Sequence, residues 1–181
     1  MHARAEAASD TASSWPEDIF AILQRFEVRQ VPYVPDAGHS QLIDRVLATP
    51  SMRAVPLTTE EEGVALLAGA WAGGQRGVLL MQSSGVGNCI NMLSLTQILR
   101  FPFLTLVTMR GEWGEFNPWQ VPMGSSTAGI FELSGVKVLR ASHAGEVREV
   151  VEAAAGQAYG ACTPTAVLLS QRLIGAKVFT K

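Results

Sequence analysis

Long apolar segments and an excess of charge of either sign are both missing from this sequence. No apolar run approaches the ~18 residues that a membrane-spanning helix needs, and the opening MHARAEAASDTASS lacks the apolar core of a secretory signal. Charged residues make up 17% of the chain, and the formal net charge is −2. Because this balance offers no basic surface to nucleic acid or an anionic membrane, we expect a cytoplasmic protein that binds neither.

Cysteine is scarce as well, and the motifs of several common sites are absent. Cys89 and Cys162 stand apart without CxxC spacing, and we expect both to be buried free thiols in helical segments. The sequence has no GxxxxGK[ST] phosphate loop, no GxSxG nucleophile turn and no HExxH zinc motif. These absences argue against the corresponding enzyme classes, and no metal-ligand set is predicted in this chain.

What the sequence does have is a regular alternation of strand-like and helix-like segments. Runs such as VLLM and FLTLV are too continuously apolar for a sheet with one wet face, which favours a mainly parallel sheet with helices on both sides. We therefore predict a three-layer α/β/α fold of about six strands, with 1–14 as a flexible tail and 15–181 as one domain. The predicted strands are QVPYVP, MRAVPLT, GVLLMQ, PFLTLVTM, VKVLR and TAVLLS.

Open sheets of this kind bind ligands beyond the carboxyl ends of their strands. One such segment, PDAGHS, is a predicted strand-to-helix loop in which we expect His39 to be accessible to solvent and ligands. Its Asp36 and His39 are either ordinary loop residues or catalytic groups. Another, QSSGVGN, fails the dinucleotide pattern because Ile90 stands where a third glycine is needed, which leaves a phosphate-holding turn or a plain tight turn. The segment RGEWGEFNPWQVPMG is long, rigid and aromatic, which indicates a binding loop, a lid or an oligomer contact.

Three adjacent carboxylates in TTEEEG raise the question of which one does chemistry. Thr58 with Glu61, and Thr59 with Glu62, both fit a helix-capping box, so all three glutamates have a structural explanation. At helical spacing Glu60 leads an apolar face and Glu61 leads an alanine face, to which another backbone can come close. The apolar face is Val64, Leu67 and Trp71, and the alanine face is Ala65, Ala68 and Ala72.

Together, EEEGVALLAGAWAGG, LLMQSSGVGN and RGEWGEFNPWQVPMG resemble the pyrimidine-binding domain of thiamine diphosphate enzymes. The closest resemblance is to the separate α subunit of sulfopyruvate and phosphonopyruvate decarboxylases. The three segments occur in the same order over 60–124, and the strand-helix rhythm extends the likeness to about 15–175. The resemblance implies the thiamine diphosphate-binding fold and decarboxylation of a 2-oxo acid to an aldehyde and CO2.

Aligned on AGAWA, the family's cofactor glutamate falls on Glu61. In the family this carboxyl group bonds N1′ of the aminopyrimidine ring and stabilises the imino tautomer, whose imine takes the thiazolium C2 proton. Glu61 is therefore the expected catalytic carboxylate. The further residues that the resemblance implies are Asp36 and His39 as catalytic groups, Gln82, Ser83 and Asn88 at the cofactor, and Arg110 and Gln120 at an anionic substrate.

The resemblance also implies that this chain builds half of a site. Family members hold the diphosphate and Mg²⁺ through a GDG motif and a downstream Asn, and no GDG occurs here. We therefore expect a β subunit that carries this motif and the magnesium, around a homodimeric core of α chains. Thr59 and the PDAGHS loop depart from the family pattern, so the 2-oxo acid is left open. A silent regulatory subunit of the same fold, or a subunit of a thiamine diphosphate-dependent carboligase or oxidase, are the alternatives.

Overall fold

The computed structural model describes residues 14–175, so the predicted tail lies outside the described residues except for Ser14. The strands are β1 Val28–Tyr33, β2 Arg53–Pro56, β3 Arg76–Gly77, β4 Leu79–Gln82, β5 Leu104–Thr108, β6 Lys137–Ala141 and β7 Thr165–Leu169. They form one parallel sheet in the order β2-β1-β4-β5-β7-β6, with the two-residue β3 paired to β1 off this path. The predicted parallel sheet is confirmed, with one short strand more than expected.

Helices cover both faces of the sheet, and each face has its own apolar core. The first core includes Ile19, Leu42 and Val151 from the helices and Leu106 from the sheet. The three-layer prediction is therefore confirmed. The helices are α1 Trp15–Arg25, α2 Ser40–Leu47, α3 Glu60–Ala72, α4 Ser83–Cys89, α5 Ser94–Leu99, α6 Val121–Leu133, α7 Ala144–Ala161 and α8 Gln171–Ile174. Helices α1, α2 and α7 pack on one face, and α3, α4, α5 and α6 pack on the other.

Two predicted boundaries are wrong. The helix after β4 begins at Ser83, directly at the strand end, whereas the helical pattern of GNCINMLSLTQILR predicts a start at Gly87, so QSSGVGN is largely helical. Helix α6 occupies a segment to which we assigned no helix, and it starts inside the predicted long loop. Its SSTAG stretch has few strong helix formers, but Pro122 in the first turn is compatible with a helix start.

At two places in the sheet the chain reverses the direction in which it adds strands. The chain runs from β1 to β2 on one side and then crosses to β4 on the other side of β1. It later runs from β5 past one position to β6 and returns to insert β7 between them. Crevices at the carboxyl ends of strands are expected at such reversals, and the candidate site residues lie there.

Within residues 14–175, no helix combines the length and the apolar character needed to cross a bilayer.

Candidate functional site

The first reversal, between β1 and β4, holds a hydrogen-bonded polar cluster centred on Asp36. Oδ1 of Asp36 accepts from Gln82 Nε2 at 2.8 Å, and Oδ2 accepts from Thr108 Oγ1 at 2.6 Å and from Gly38 N at 3.1 Å. Ser84 Oγ donates to Gln82 Oε1 at 3.0 Å, so both ends of this amide are held. The cluster ties together the ends of β1, β4 and β5 and fixes the orientation of Gln82.

His39 follows Asp36 by one turn. We expected its side chain to face solvent, but the structure places it in the interior. Its ring is buried, with Nε2 donating to Leu106 O at 3.0 Å, while Nδ1 has no hydrogen bond to a described residue. Burial lowers the pKa of His39, and the Asp36 carboxylate and backbone carbonyls oppose this only in part. The accessible location predicted for His39 is therefore wrong, and its burial argues against direct contact with a substrate.

Helix α3 separates the neighbouring carboxylates Glu60 and Glu61 onto different faces, as the helical spacing predicted. Glu60 is only 7% exposed, accepts from Asn88 Nδ2 at 2.8 Å and packs against Gly85. Glu61 is partly buried, and its carboxylate has no hydrogen bond to any residue between 14 and 175. The next residue on its face, Ala65, is exposed. Of the three glutamates, Glu61 is thus the one whose carboxylate has no partner in the described part of the chain.

Neither predicted capping box forms at the start of α3. Thr59 is the N-cap residue, but its side chain makes no capping hydrogen bond. Glu62 Oε2 instead accepts from Thr58 N at 3.0 Å, one residue earlier than a capping box requires. Glu62 therefore stabilises the helix start, and the carboxylate of Glu61 is not needed for it.

Gly85 is what allows Glu60 to be buried, because a Cβ at this position would overlap the Glu60 carboxyl group. We expect Gly85→Ala to lower the free energy of unfolding by about 1–3 kcal/mol, as overpacking does. Gly87→Ala in the same helix is the control, since its Cβ would lie 3.3 Å from Sδ of the flexible Met123. Denaturant unfolding of both variants measures the difference, and equal stabilities would contradict the tight approach of α3 and α4.

The two cysteines differ in their environments. Burial raises the pKa of the Cys89 thiol to about 12, and the carboxylates of Glu60 and Glu61 add to the effect, so this thiol is unreactive at neutral pH. Cys162 ends α7 in a left-handed conformation with φ of 52°, which turns it to the surface, with Sγ 3.1 Å from Arg100 O. The prediction of a buried thiol holds for Cys89 and is wrong for Cys162.

The second reversal, between β5 and β7, is filled by a buried ion pair. Arg110 donates from Nε to Glu115 Oε2 at 2.7 Å and from Nη2 to Oε1 at 2.6 Å, and the Glu115 side chain is 3% exposed. Glu115 also accepts from the backbone N–H groups of Gly111 and Asn117 and from Gln171 Nε2. The guanidinium of Arg110, followed by these other donors, lowers the pKa of Glu115 to about 2 despite burial. Arg110 was predicted to bind an anionic substrate through its guanidinium group. Two nitrogens of that group, Nε and Nη2, already donate to Glu115.

The long loop after β5 is also fastened to the end of β7. Gln171 Oε1 accepts from the N–H groups of Glu112 and Trp113 at 3.1 and 3.0 Å. In return, Glu112 Oε1 accepts from Ser170 Oγ and Gln171 N, both at 2.9 Å. Sequence reasoning missed Gln171, because nothing in the sequence indicates that residues nearly sixty positions apart meet. The fastened loop presents exposed aromatic side chains from Trp113, Phe116 and Trp119.

The remaining predicted site residues have mainly internal contacts. Ser83 is fully buried, and its Oγ accepts from Arg110 N at 3.0 Å. The amide nitrogen of Asn88 donates to Glu60. Gln120 has a buried Oε1 without a hydrogen-bond partner among the described residues, which leaves an acceptor for a donor from outside. Cofactor or substrate contacts for these side chains stay predictions.

Comparison with known proteins gives matches at the level of sequence and of fold. No family profile matches the chain. It is 37% identical over 119 residues to sulfopyruvate decarboxylase subunit alpha from Methanothermobacter thermautotrophicus, covering 65% of this chain and 72% of that protein. It is 38% identical over 118 residues to phosphonopyruvate decarboxylase from Streptomyces viridochromogenes, covering 64% of this chain and 30% of that protein.

A solved structure of 2-oxoglutarate:ferredoxin oxidoreductase from Magnetococcus marinus matches with a TM-score of 0.67 at 11% identity. The match covers 90% of this chain and 29% of that one, and it concerns the fold alone.

Proposed function

Because the chain belongs to the family of sulfopyruvate decarboxylase alpha subunits, we propose that it is the pyrimidine-binding subunit of a heteromeric 2-oxo acid decarboxylase that uses thiamine diphosphate. The observation that carries the proposal is the state of Glu61. Of three consecutive glutamates, Glu60 is buried and accepts a hydrogen bond from Asn88, and Glu62 accepts one from the backbone at the helix start. The Glu61 carboxylate has no partner among the described residues. The helix dipole favours a carboxylate in the first turn of α3, but it does not require one on the alanine face.

The residues present fit the aminopyrimidine half of thiamine diphosphate. Glu61 offers an uncommitted carboxyl group, partly buried beside alanines, which suits a proton shared with a ring nitrogen in a poorly solvated site. When bound, the cofactor supplies the electron sink for loss of CO2. Glu61 would hold or release the proton at its Oε atoms. An assembled interface would have to exclude water from it, because this chain alone leaves Glu61 partly exposed.

The cluster at the first reversal has a positioning role in this proposal. Asp36 uses both carboxylate oxygens on donors within the chain, so it orients Gln82 and does not itself act on a substrate. The held amide of Gln82 then stands at the carboxyl ends of the strands, where a ligand is expected. After Glu61, cofactor contact by Gln82 is the part of the predicted cofactor set that this geometry supports best.

For the partner we propose a β subunit that carries a GDG motif with a downstream Asn and holds the diphosphate and Mg²⁺. The matched relative is named subunit alpha, and the phosphonopyruvate decarboxylase is a longer chain of which this one covers only 30%. Both facts support a second polypeptide that supplies the part of the enzyme missing from this chain. Two copies of this chain would form the core of the assembly through the exposed alanine face. With two free thiols in the described residues, we place the enzyme in the cytoplasm.

As the substrate we propose a small 2-oxo acid with a second anionic group, because both relatives are named for such acids. Arg110 was the predicted anion fork, but it gives Nε and Nη2 to Glu115. Direct substrate contact by Arg110 therefore stays a prediction, and it would have to use Nη1 or displace Glu115.

Reconstitution tests the half-site proposal. The chain with thiamine diphosphate, Mg²⁺ and sulfopyruvate is expected to release no CO2, because it lacks the GDG motif and the ligands that give most of the affinity for a diphosphate. Addition of the partner subunit is expected to restore cofactor binding and turnover, measured by calorimetry and CO2 release.

The partner subunit alone is the control for this experiment, and it should be inactive as well. Turnover by the 181-residue chain on its own would refute the half-site. Full turnover by the partner alone would instead assign this chain a regulatory role.

A further inference from the structure

A groove of about 710 Å³ lies at the opposite edge of the sheet from the candidate site. It is formed by the amino ends of β1, β2 and β3 together with the carboxyl end of α3. Arg29, Arg53 and Arg76 line it, along with Glu27 and the exposed indole of Trp71. Asp36 follows Arg29 by seven positions, and most of this stretch is strand β1, which puts the two regions roughly 20 Å apart.

These three arginines lack carboxylate partners among the described residues. Five other arginines in residues 14–175 form ion pairs with Asp or Glu within 4.0 Å, whereas none of the three in the groove does. Arg29 donates to Ser51 O at 3.1 Å and Arg76 donates to Phe26 O at 3.0 Å, so their forks are held by neutral groups. The groove thus concentrates uncompensated positive charge in a chain whose formal net charge is −2.

The local charge and shape define the ligand class. Three arginines against one lining glutamate leave a formal charge of +2 in the groove. Arginine forks match phosphate oxygens in geometry as well as in charge. Trp71 is 41% exposed beside them and offers a flat apolar surface to a ring. The volume also lies in the ~300–1,000 Å³ range of small-molecule sites, which is much more than one phosphate needs.

We propose that this groove binds a phosphorylated small molecule with a planar ring, of which a nucleoside di- or triphosphate is the representative class. Arg53 and Arg29 contact the phosphates, and Trp71 stacks on the ring. The site is separate from the decarboxylase site and does not depend on its assignment. Binding is weakened by salt, because the attraction is between groups that face solvent.

Calorimetric titration of the full chain with ATP, adenosine and inorganic phosphate tests this proposal. ATP is expected to bind more tightly than either fragment, and Arg53→Gln is expected to weaken ATP binding about tenfold. The Arg53 side chain has no hydrogen bond or ion pair in residues 14–175, and the backbone of Arg53 stays paired in β2, so the replacement leaves the fold intact. Trp71→Ala should reduce the preference for ATP over inorganic phosphate.

Arg100→Gln is the matched control, because Arg100 is another exposed arginine that forms no ion pair within residues 14–175 but lies outside the groove. It should leave ATP binding unchanged. Absence of ATP binding at millimolar concentration, or an equal loss in Arg53→Gln and Arg100→Gln, would overturn the proposal. Equal affinity for ATP and inorganic phosphate would overturn the assignment of a ring-bearing ligand.

Discussion

Glu61→Gln, assembled with the partner subunit, is expected to reduce kcat by about 10²–10⁴-fold, the usual effect of removing catalytic proton transfer. An amide cannot exchange a proton with a ring nitrogen in the way a carboxyl group does. Because the Glu61 side chain makes no hydrogen bond within residues 14–175, the variant should fold and assemble as the wild type does. Steady-state kinetics and the melting temperature, measured on the same preparations, separate the two effects.

The neighbouring glutamates provide two controls of identical chemistry. Glu62→Gln should weaken the start of α3 slightly and leave kcat near the wild-type value. Glu60→Gln keeps an acceptor for Asn88 and should retain most activity. An active Glu61→Gln beside an inactive Glu60→Gln would show that the assignment of the catalytic carboxylate is shifted by one residue.

Glu115→Gln is expected to lower the free energy of unfolding by about 3 kcal/mol, because it leaves the buried Arg110 guanidinium without its counter-charge. In a chain of this size that corresponds to a fall in melting temperature of roughly 6–12 °C. Thermal unfolding followed by circular dichroism measures it. The loop residues that hydrogen bond to Glu115 should also lose order, which would appear as faster hydrogen exchange at Gly111 and Asn117.

The pH dependence of this effect has a definite sign. The pKa of Glu115 lies at about 2 in the folded chain, below its ordinary value near 4.5. Its contribution to stability is therefore fully present above pH 4.5 and is lost as the pH falls toward 2. The difference in stability between the wild type and Glu115→Gln should be constant at neutral pH and shrink below pH 4.5.

Glu17→Gln is the matched control, since Glu17 also accepts from an arginine, Arg45, at 2.8 Å but with both side chains more than 40% exposed. An exposed pair of this kind contributes at most about 1 kcal/mol. Equal destabilisation by Glu17→Gln and Glu115→Gln would contradict the importance of burial. An unchanged stability of Glu115→Gln would show that the loop is not held by this pair.

The sheet and the division of α3 into two faces were predictable because they depend on local pattern. Continuous apolar runs such as LTLVT become fully buried central strands, and helical spacing alone separates Glu60 from Glu61. Helix α6 was not predicted, because its small residues give little hydrophobic periodicity. Its position is decided by tertiary packing of residues such as Phe131 against the sheet.

The contacts of the candidate site were less predictable because they depend on strand order. Arg110 was predicted to contact an anionic substrate, and that contact stays a prediction, whereas its observed partner Glu115 follows only from the fold of the loop. Gln171 reaches this loop because β7 lies next to β5, which no local pattern reveals. The burial of His39 likewise depends on strand order, because its ring donates to Leu106 O in β5.

The position of β7 has a consequence for how the protein is made. Thr165–Leu169 inserts between β5 and β6, so these two strands, which are synthesised earlier, have no shared neighbour until β7 has been made. During translation the flanks of β5 and β6 carry unpaired backbone groups and apolar side chains, the surfaces through which partly folded chains aggregate. The nascent chain therefore completes its sheet late, and a chaperone that shields these two strand edges would raise the yield of assembled enzyme.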